Sequence, residues 1–126
     1  MATVLIIDDA KFMRLTLSNI FEKYNYSVVG TAKNGEEGLN LYKETNPDLV
    51  TLDITMPVMD GIQTLSEIMA YDEQANVVMC SAMGQQRLVV KAIELGAKDF
   101  IVKPFNEEKV IHTVNQILQS SNKNNN

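Results

Sequence analysis

Five short apolar runs, each followed by a stretch of helical periodicity, set the limits on what this chain can fold into. The runs are Thr3–Ile7, Ser27–Ala32, Asp48–Asp53, Asn76–Ser81 and Asp99–Val102, too short to bury a helix face and rich in Val, Ile and Leu. Continuous apolar strands of that length belong in a sheet covered on both faces. Between them, Met13, Leu17, Ile20, Phe21 and Tyr24 recur at helical spacing over Lys11–Tyr24. Ile62, Leu65, Ile68 and Met69 form a second stripe, and Val110, Val114, Ile117 and Leu118 form another. Asn34, with Glu37 three residues on, has the form of a capping box opening a helix that runs to about Thr45, where Asn46-Pro47 stops it. Asp60 with Gln63, and later Asn106, read as further N-caps. The remaining helix follows Gly84, carries Leu88, Val89, Ala92, Ile93 and Leu95, and is closed by Gly96 in a left-handed cap.

Strand and helix thus alternate five times, which predicts an α/β fold with helices on both faces of a parallel sheet. Right-handed crossovers and a switch point give a doubly wound, flavodoxin-like sheet of five strands in the order 2-1-3-4-5, with five helices. A chain of 126 residues, 45% of them hydrophobic, holds one domain, assigned to residues 1–119; the polar stretch 120–126, with its three terminal asparagines, reads as a disordered tail. Net charge is −5 with no dense Lys/Arg run, which argues against nucleic acid as a partner. No apolar stretch nears the roughly 20 residues of a membrane span, and no signal-peptide pattern opens the chain, so a cytoplasmic protein without membrane insertion is expected. The lone Cys80 sits in an apolar run and reads as a buried structural thiol. His112, far along the chain from any acid, reads as a solvent-side or packing residue, and most of the seven methionines fall at core spacing.

Where the strands end is more informative. The third run terminates in Asp53, just before Met56-Pro57 and Asp60-Gly61, and the first terminates in Asp8-Asp9. A single strand-terminal Asp is ordinarily a turn or helix cap. In this topology, however, the first and third strands lie side by side and their carboxyl ends are where ligands bind, so Asp8, Asp9 and Asp53 converge. Two unit charges about 4 Å apart near a protein surface repel by roughly 4 kcal/mol at an effective dielectric of 20. Lys103, ending the fifth strand, projects from the same rim but cannot balance three carboxylates. A hard divalent ion can, and magnesium, which takes oxygen ligands and keeps several waters, suits the cluster. There is no G-x-x-x-x-G-K-[ST] loop, and an acidic first turn disfavours nucleotide or flavin phosphates. Asp53-Ile54-Thr55 begins like the nucleophile loop of haloacid-dehalogenase-type phosphatases, but Thr55 stands where their second acid is needed.

Five separated features in register, Asp8-Asp9, Asp53, Met56-Pro57-x-x-Asp60-Gly61, Ser81-Ala82 and Lys103-Pro104-Phe105, make the chain from Val4 to about Leu118 resemble the receiver domain of two-component response regulators, and within it the stand-alone chemotaxis regulators. The resemblance implies that Asp53 is the phosphoacceptor for a CheA-like histidine kinase, and that Asp9, Asp53 and the Thr55 backbone carbonyl hold magnesium while Asp8 orients a metal-bound water. It further implies that Lys103 pairs with Asp53 and then with the phosphoryl oxygens. Ser81 would be drawn in to donate a hydrogen bond, Phe100 would turn into the space left, and Thr55 and Met83 would tune the acyl phosphate lifetime. The face formed by the fourth helix, fifth strand and fifth helix would then bind a flagellar motor switch protein, the chain acting as a monomer, with a separate phosphatase as a further possible partner. The chain departs from the pattern in Ser81, where threonine is common, and in Phe100, where tyrosine is usual. The Lys103-Pro104 bond is expected to be cis on the same grounds. A receiver with no output domain after its last helix acts by binding. A phosphorelay intermediate that passes its phosphoryl group to a histidine phosphotransferase, and a magnesium-dependent phosphatase, are the rival readings.

Overall fold

The computed structural model describes residues 1–124 and places ten elements in strict alternation. They are β1 (Thr3–Ile7), α1 (Lys11–Lys23), β2 (Ser27–Ala32), α2 (Gly35–Thr45), β3 (Leu49–Asp53), α3 (Gly61–Tyr71), β4 (Val77–Ser81), α4 (Gln86–Leu95), β5 (Asp99–Val102) and α5 (Glu107–Asn124). All pairings are parallel, in the order β2-β1-β3-β4-β5. The predicted architecture is the observed one.

Strand alternation divides the core into two layers. Leu5, Ile7, Val50, Leu52, Val77 and Met79 face one side, under α2, α3 and α4. Val4, Ile6, Leu49, Val78, Cys80 and Ile101 face the other, against Leu17 and Phe21 of α1 and Val110 and Val114 of α5. The Cys80 thiol is buried, and that burial raises its pKa far above the ordinary thiol range. His112 is exposed on α5.

Three caps are made by the side chains the sequence points to. Asn34 accepts from the Glu37 N–H at 2.9 Å, Asp60 from the Gln63 N–H at 2.8 Å and Asn106 from the Lys109 N–H at 3.0 Å. Gly96 closes α4 with a φ of +120°, and Lys103-Pro104 is cis.

One expectation needs correction, and the fourth helix shows a feature that its apolar pattern does not give. Of the apolar residues expected on the fourth helix, only Val89 and Ala92 are buried, while Leu88, Ile93 and Leu95 are exposed. The sheet beneath α4 ends at the four-residue edge strand β5, where Phe100 and Val102 are themselves exposed, so only a narrow arc of the helix is covered. The polar stretch from Ser120, read as a disordered tail, continues α5 as far as Asn124. No Pro or Gly follows Leu118 to stop the helix, and Ser and Asn only weaken one. Residues 125–126 lie outside the described residues.

Among the described residues, no helix is long and apolar enough to cross a membrane.

Candidate functional site

β3 delivers Asp53 to the carboxyl end of the sheet, and the chain leaves the sheet there because α3 starts directly beneath. The Gly61 N–H donates to the Ile54 carbonyl at 2.7 Å. A Cβ on Gly61 would lie 2.2 Å from the Asp53 carbonyl oxygen and 2.6 Å from the Ile54 Cα, so only glycine permits this close approach. On the neighbouring strand, the Asp8 N–H still donates to the Ala32 carbonyl at 3.0 Å, which carries the β1 ladder one residue beyond Ile7. Asp8 therefore stays fully buried, while Asp9 turns outward and is exposed.

The three acids meet. Asp8, Asp9 and Asp53 each bring a carboxylate oxygen within 4.8 Å of the others. The Lys103 Nζ lies 3.0 Å from Asp8 Oδ2 and 3.3 Å from Asp53 Oδ1. Asp8 Oδ1 accepts from the Ala10 N–H at 2.9 Å, whereas Oδ2 has no aligned hydrogen-bond donor and only the ammonium beside it. An anionic oxygen left with that little support, among two further carboxylates, fits a hard cation with oxygen ligands. The donor set is all carboxylate, with no thiol or imidazole, which matches magnesium and not zinc.

Electrostatics point the same way. Burial, and then the Asp8 carboxylate, push the Asp53 carboxyl up to about 6, with Asp9 adding to the rise and Lys103 pulling against it. For Lys103, burial works to lower the pKa, but Asp8 and Asp53 outweigh it and the net direction is up, so the ammonium stays charged. Among the described residues, Lys103 alone pairs with these carboxylates, so one ammonium faces three acids. We expect Asp9→Ala to melt higher than the parent in chelator and to gain little from magnesium, whereas magnesium at a hundred times its Kd stabilises the parent by about 2.7 kcal/mol. Equal magnesium shifts in thermal melts of both proteins would remove Asp9 from the ligand set.

The other predicted residues lie at the strand ends and loops nearby or along a groove that Ser81 also lines. Ser81 is buried at the end of β4, one step past Cys80, the register partner of Asp53. Thr55 is exposed in the loop after Asp53, and its Oγ1 accepts from the Gln85 Nε2 at 2.9 Å. Phe100 is 42% exposed and lines an apolar groove of about 450 Å³ with Ser81, Met83, Val89 and Val90. Met83 is 82% exposed, so no packing role holds it there. Two residues make contacts that the sequence reading does not assign. Arg14 donates from Nη1 to the Asp8 carbonyl at 2.7 Å, and Gln85 bridges two loops. Arg14 lies on α1 and Gln85 in the loop before α4, and neither contact has a signal in the spacing of nearby residues.

A doubly wound parallel sheet with an acid triad and one lysine across its switch point defines a class of α/β protein built around a charged, metal-competent rim in place of a phosphate cradle. Within that class the chain belongs to the response regulator receiver domain family, whose model matches residues 4–115. It is 55% identical over 118 residues to "Protein CcdB" of Bacillus subtilis, covering 94% of this chain and 98% of that protein. It is 54% identical over 115 residues to "Chemotaxis protein CheY" of the same organism, covering 91% and 96% respectively. Among solved structures, it resembles a chain of the CheX-CheY-BeF3-Mg+2 complex from Borrelia burgdorferi at 46% identity, with a TM-score of 0.88 over 92% of this chain and 88% of that one.

Proposed function

We propose that this protein is a single-domain response regulator that accepts a phosphoryl group on Asp53 from a histidine kinase and carries the signal by binding, in chemotaxis, to a flagellar motor switch protein. The observation that supports this most is the Asp53 carboxylate itself: buried at a strand end, 3.3 Å from the Lys103 ammonium and within 4.8 Å of the Asp8 and Asp9 oxygens. Asp53 ionises at about 6, so at neutral pH it is mostly the anion that a nucleophile must be. Its oxygen attacks the phosphorus of a phosphohistidine. The P–O bond forms as the P–N bond breaks, and the electron pair leaves with the imidazole.

Asp9, Asp53 and the Thr55 carbonyl would hold magnesium, with Asp8 orienting a bound water. When bound, the ion neutralises charge on the transferring group. Lys103, already placed between Asp8 and Asp53, shifts its ammonium to the new phosphoryl oxygens. Ser81, buried on the next strand, donates its hydroxyl to the same group. Phe100, half out of an apolar groove that Ser81 also lines, then turns inward and reshapes the face of α4, β5 and α5. Thr55 and Met83, both exposed beside this centre, set how readily water reaches the acyl phosphate. The chain catalyses only its own phosphorylation and dephosphorylation. Its partners are a CheA-like kinase, a motor protein and a phosphatase, encountered by a monomer in the cytoplasm.

The relatives named for chemotaxis support that role, and the exposed Leu88, Val90, Ile93 and Phe100 supply the apolar surface a partner would read. The test is retention of partners from a lysate on immobilised protein with and without beryllofluoride and magnesium. A motor switch protein retained only in the loaded state is the expected result. A histidine phosphotransferase retained in its place would overturn the motor role in favour of a phosphorelay.

A further inference from the structure

The β3–β4 ladder stops one hydrogen bond short. The Ile54 N–H donates to the Cys80 carbonyl at 3.1 Å and the Lys103 N–H to the Ser81 carbonyl at 2.8 Å, so Cys80 is turned toward β3 and Ser81 toward β5. Strand alternation turns the next amide, Ala82, back toward β3. Its acceptor in a continued ladder would be the Ile54 carbonyl, which instead takes the Gly61 N–H at 2.7 Å. The Ala82 N–H is therefore aimed past the end of β3, where Asp53 emerges.

Gln85 supplies the missing acceptor. Its Oε1 accepts from the Ala82 N–H at 2.7 Å, and its Nε2 donates to Thr55 Oγ1 at 2.9 Å. A backbone N–H can only donate, which fixes which end of the carboxamide faces Ala82. Ala82, Met83, Gly84 and Gln86 are exposed, whereas polar Gln85 is half-buried, so it is turned inward against the trend of its neighbours. It thereby joins the two loops that flank Asp53, and it stands immediately before α4.

We propose that Gln85 is a positioning residue: in the resting chain its carboxamide holds the Ala82 N–H as a stand-in for a phosphoryl oxygen on Asp53, and the two acceptors compete for that donor. The proposal rests on the phosphoacceptor reading above. A phosphoryl oxygen is charged, and a charge-assisted hydrogen bond is roughly twice as strong as a neutral one, so the arriving group takes the N–H and frees the carboxamide. Because Gln85 leads into α4, its release is felt at the start of the helix whose exposed face a partner would read.

The test titrates beryllofluoride, a phosphoryl mimic, with magnesium into the full chain while amide resonances are followed. Gln85→Ala removes the competing acceptor, so the mimic binds roughly two- to tenfold tighter, the range spanned by one neutral hydrogen bond. The Ala82 amide shifts in the free variant and coincides with the parent's in the bound state. Gln85→Glu offers a charged acceptor and adds a fourth carboxylate, so it binds more weakly than the parent. A residue that merely supports the loops would weaken binding in both variants, and that result overturns the proposal, as does unchanged affinity in Gln85→Ala. Failure of the parent itself to bind overturns the phosphoacceptor reading as well, so the two failures are told apart.

Discussion

Incubation with acetyl phosphate and magnesium is expected to leave one phosphoryl group per chain, on Asp53, and none on an Asp53→Asn variant. The loss is complete because a carboxamide is no nucleophile and neither neighbouring acid can stand in. Asp8 is fully buried, with one oxygen held by the Ala10 N–H and the other beside the Lys103 ammonium. Asp9 lies outside the strand end and is exposed. Mass spectrometry of the intact chain, and peptide mapping after trapping the acyl group with hydroxylamine, read the result. Label persisting at full level in Asp53→Asn would overturn the assignment. Sustained turnover of ordinary phosphate monoesters would move the protein into the phosphatase class, against the absence of a second acid at Thr55.

Without divalent metal, the parent should lose roughly 2 kcal/mol of its stability relative to Asp53→Asn between pH 4 and pH 7. The Asp53 carboxyl titrates near 3.8 when unfolded and is raised to about 6 in the fold, chiefly by burial and then by Asp8. Between those values the folded state binds the proton more tightly than the unfolded chain, so stability falls as pH rises through the window and levels off above it. The rise of about two pKa units, less the part already ionised in the unfolded chain at pH 4, is the origin of the figure. The asparagine variant has no proton to lose and lacks this slope, so denaturant melts of the pair in chelator at several pH values isolate it. Parallel stability curves for the two proteins would show that Asp53 carries no such strain. Magnesium at pH 7 should narrow the gap, because it offsets the charge the variant has deleted.

How far such effects could be foreseen depends on which part of the chain carries them. Apolar runs such as Val4–Ile7, and the caps Asn34, Asp60 and Asn106, are written in nearest neighbours and were legible. The convergence of Asp8, Asp9, Asp53 and Lys103 was legible for a different reason: each sits at a strand end, and the topology alone fixes where strand ends go. The burial of α4 was not, because a helical stripe says which residues share a face and nothing of how wide a surface lies beneath. Leu88 and Leu95 stay exposed over a short edge strand that no pattern within α4 announces. The end of α5 was missed because polar residues neither require nor forbid another turn. The two bonds of Gln85 were not legible because they depend on how two loops approach in space, and a long flexible side chain carries no periodic signal.

The reach of Lys103 has an outcome for the sheet as a whole. The residue follows the outermost strand, β5, yet its ammonium ends on acids of β1 and β3, so its stem must pass over the tip of β4. One side chain thus laces together strands that are not all neighbours, and does so at a single edge of the sheet. Whatever draws that amine aside slackens the lacing and leaves the interior ladder intact, so news arriving at the middle of the protein can be delivered at its outer margin.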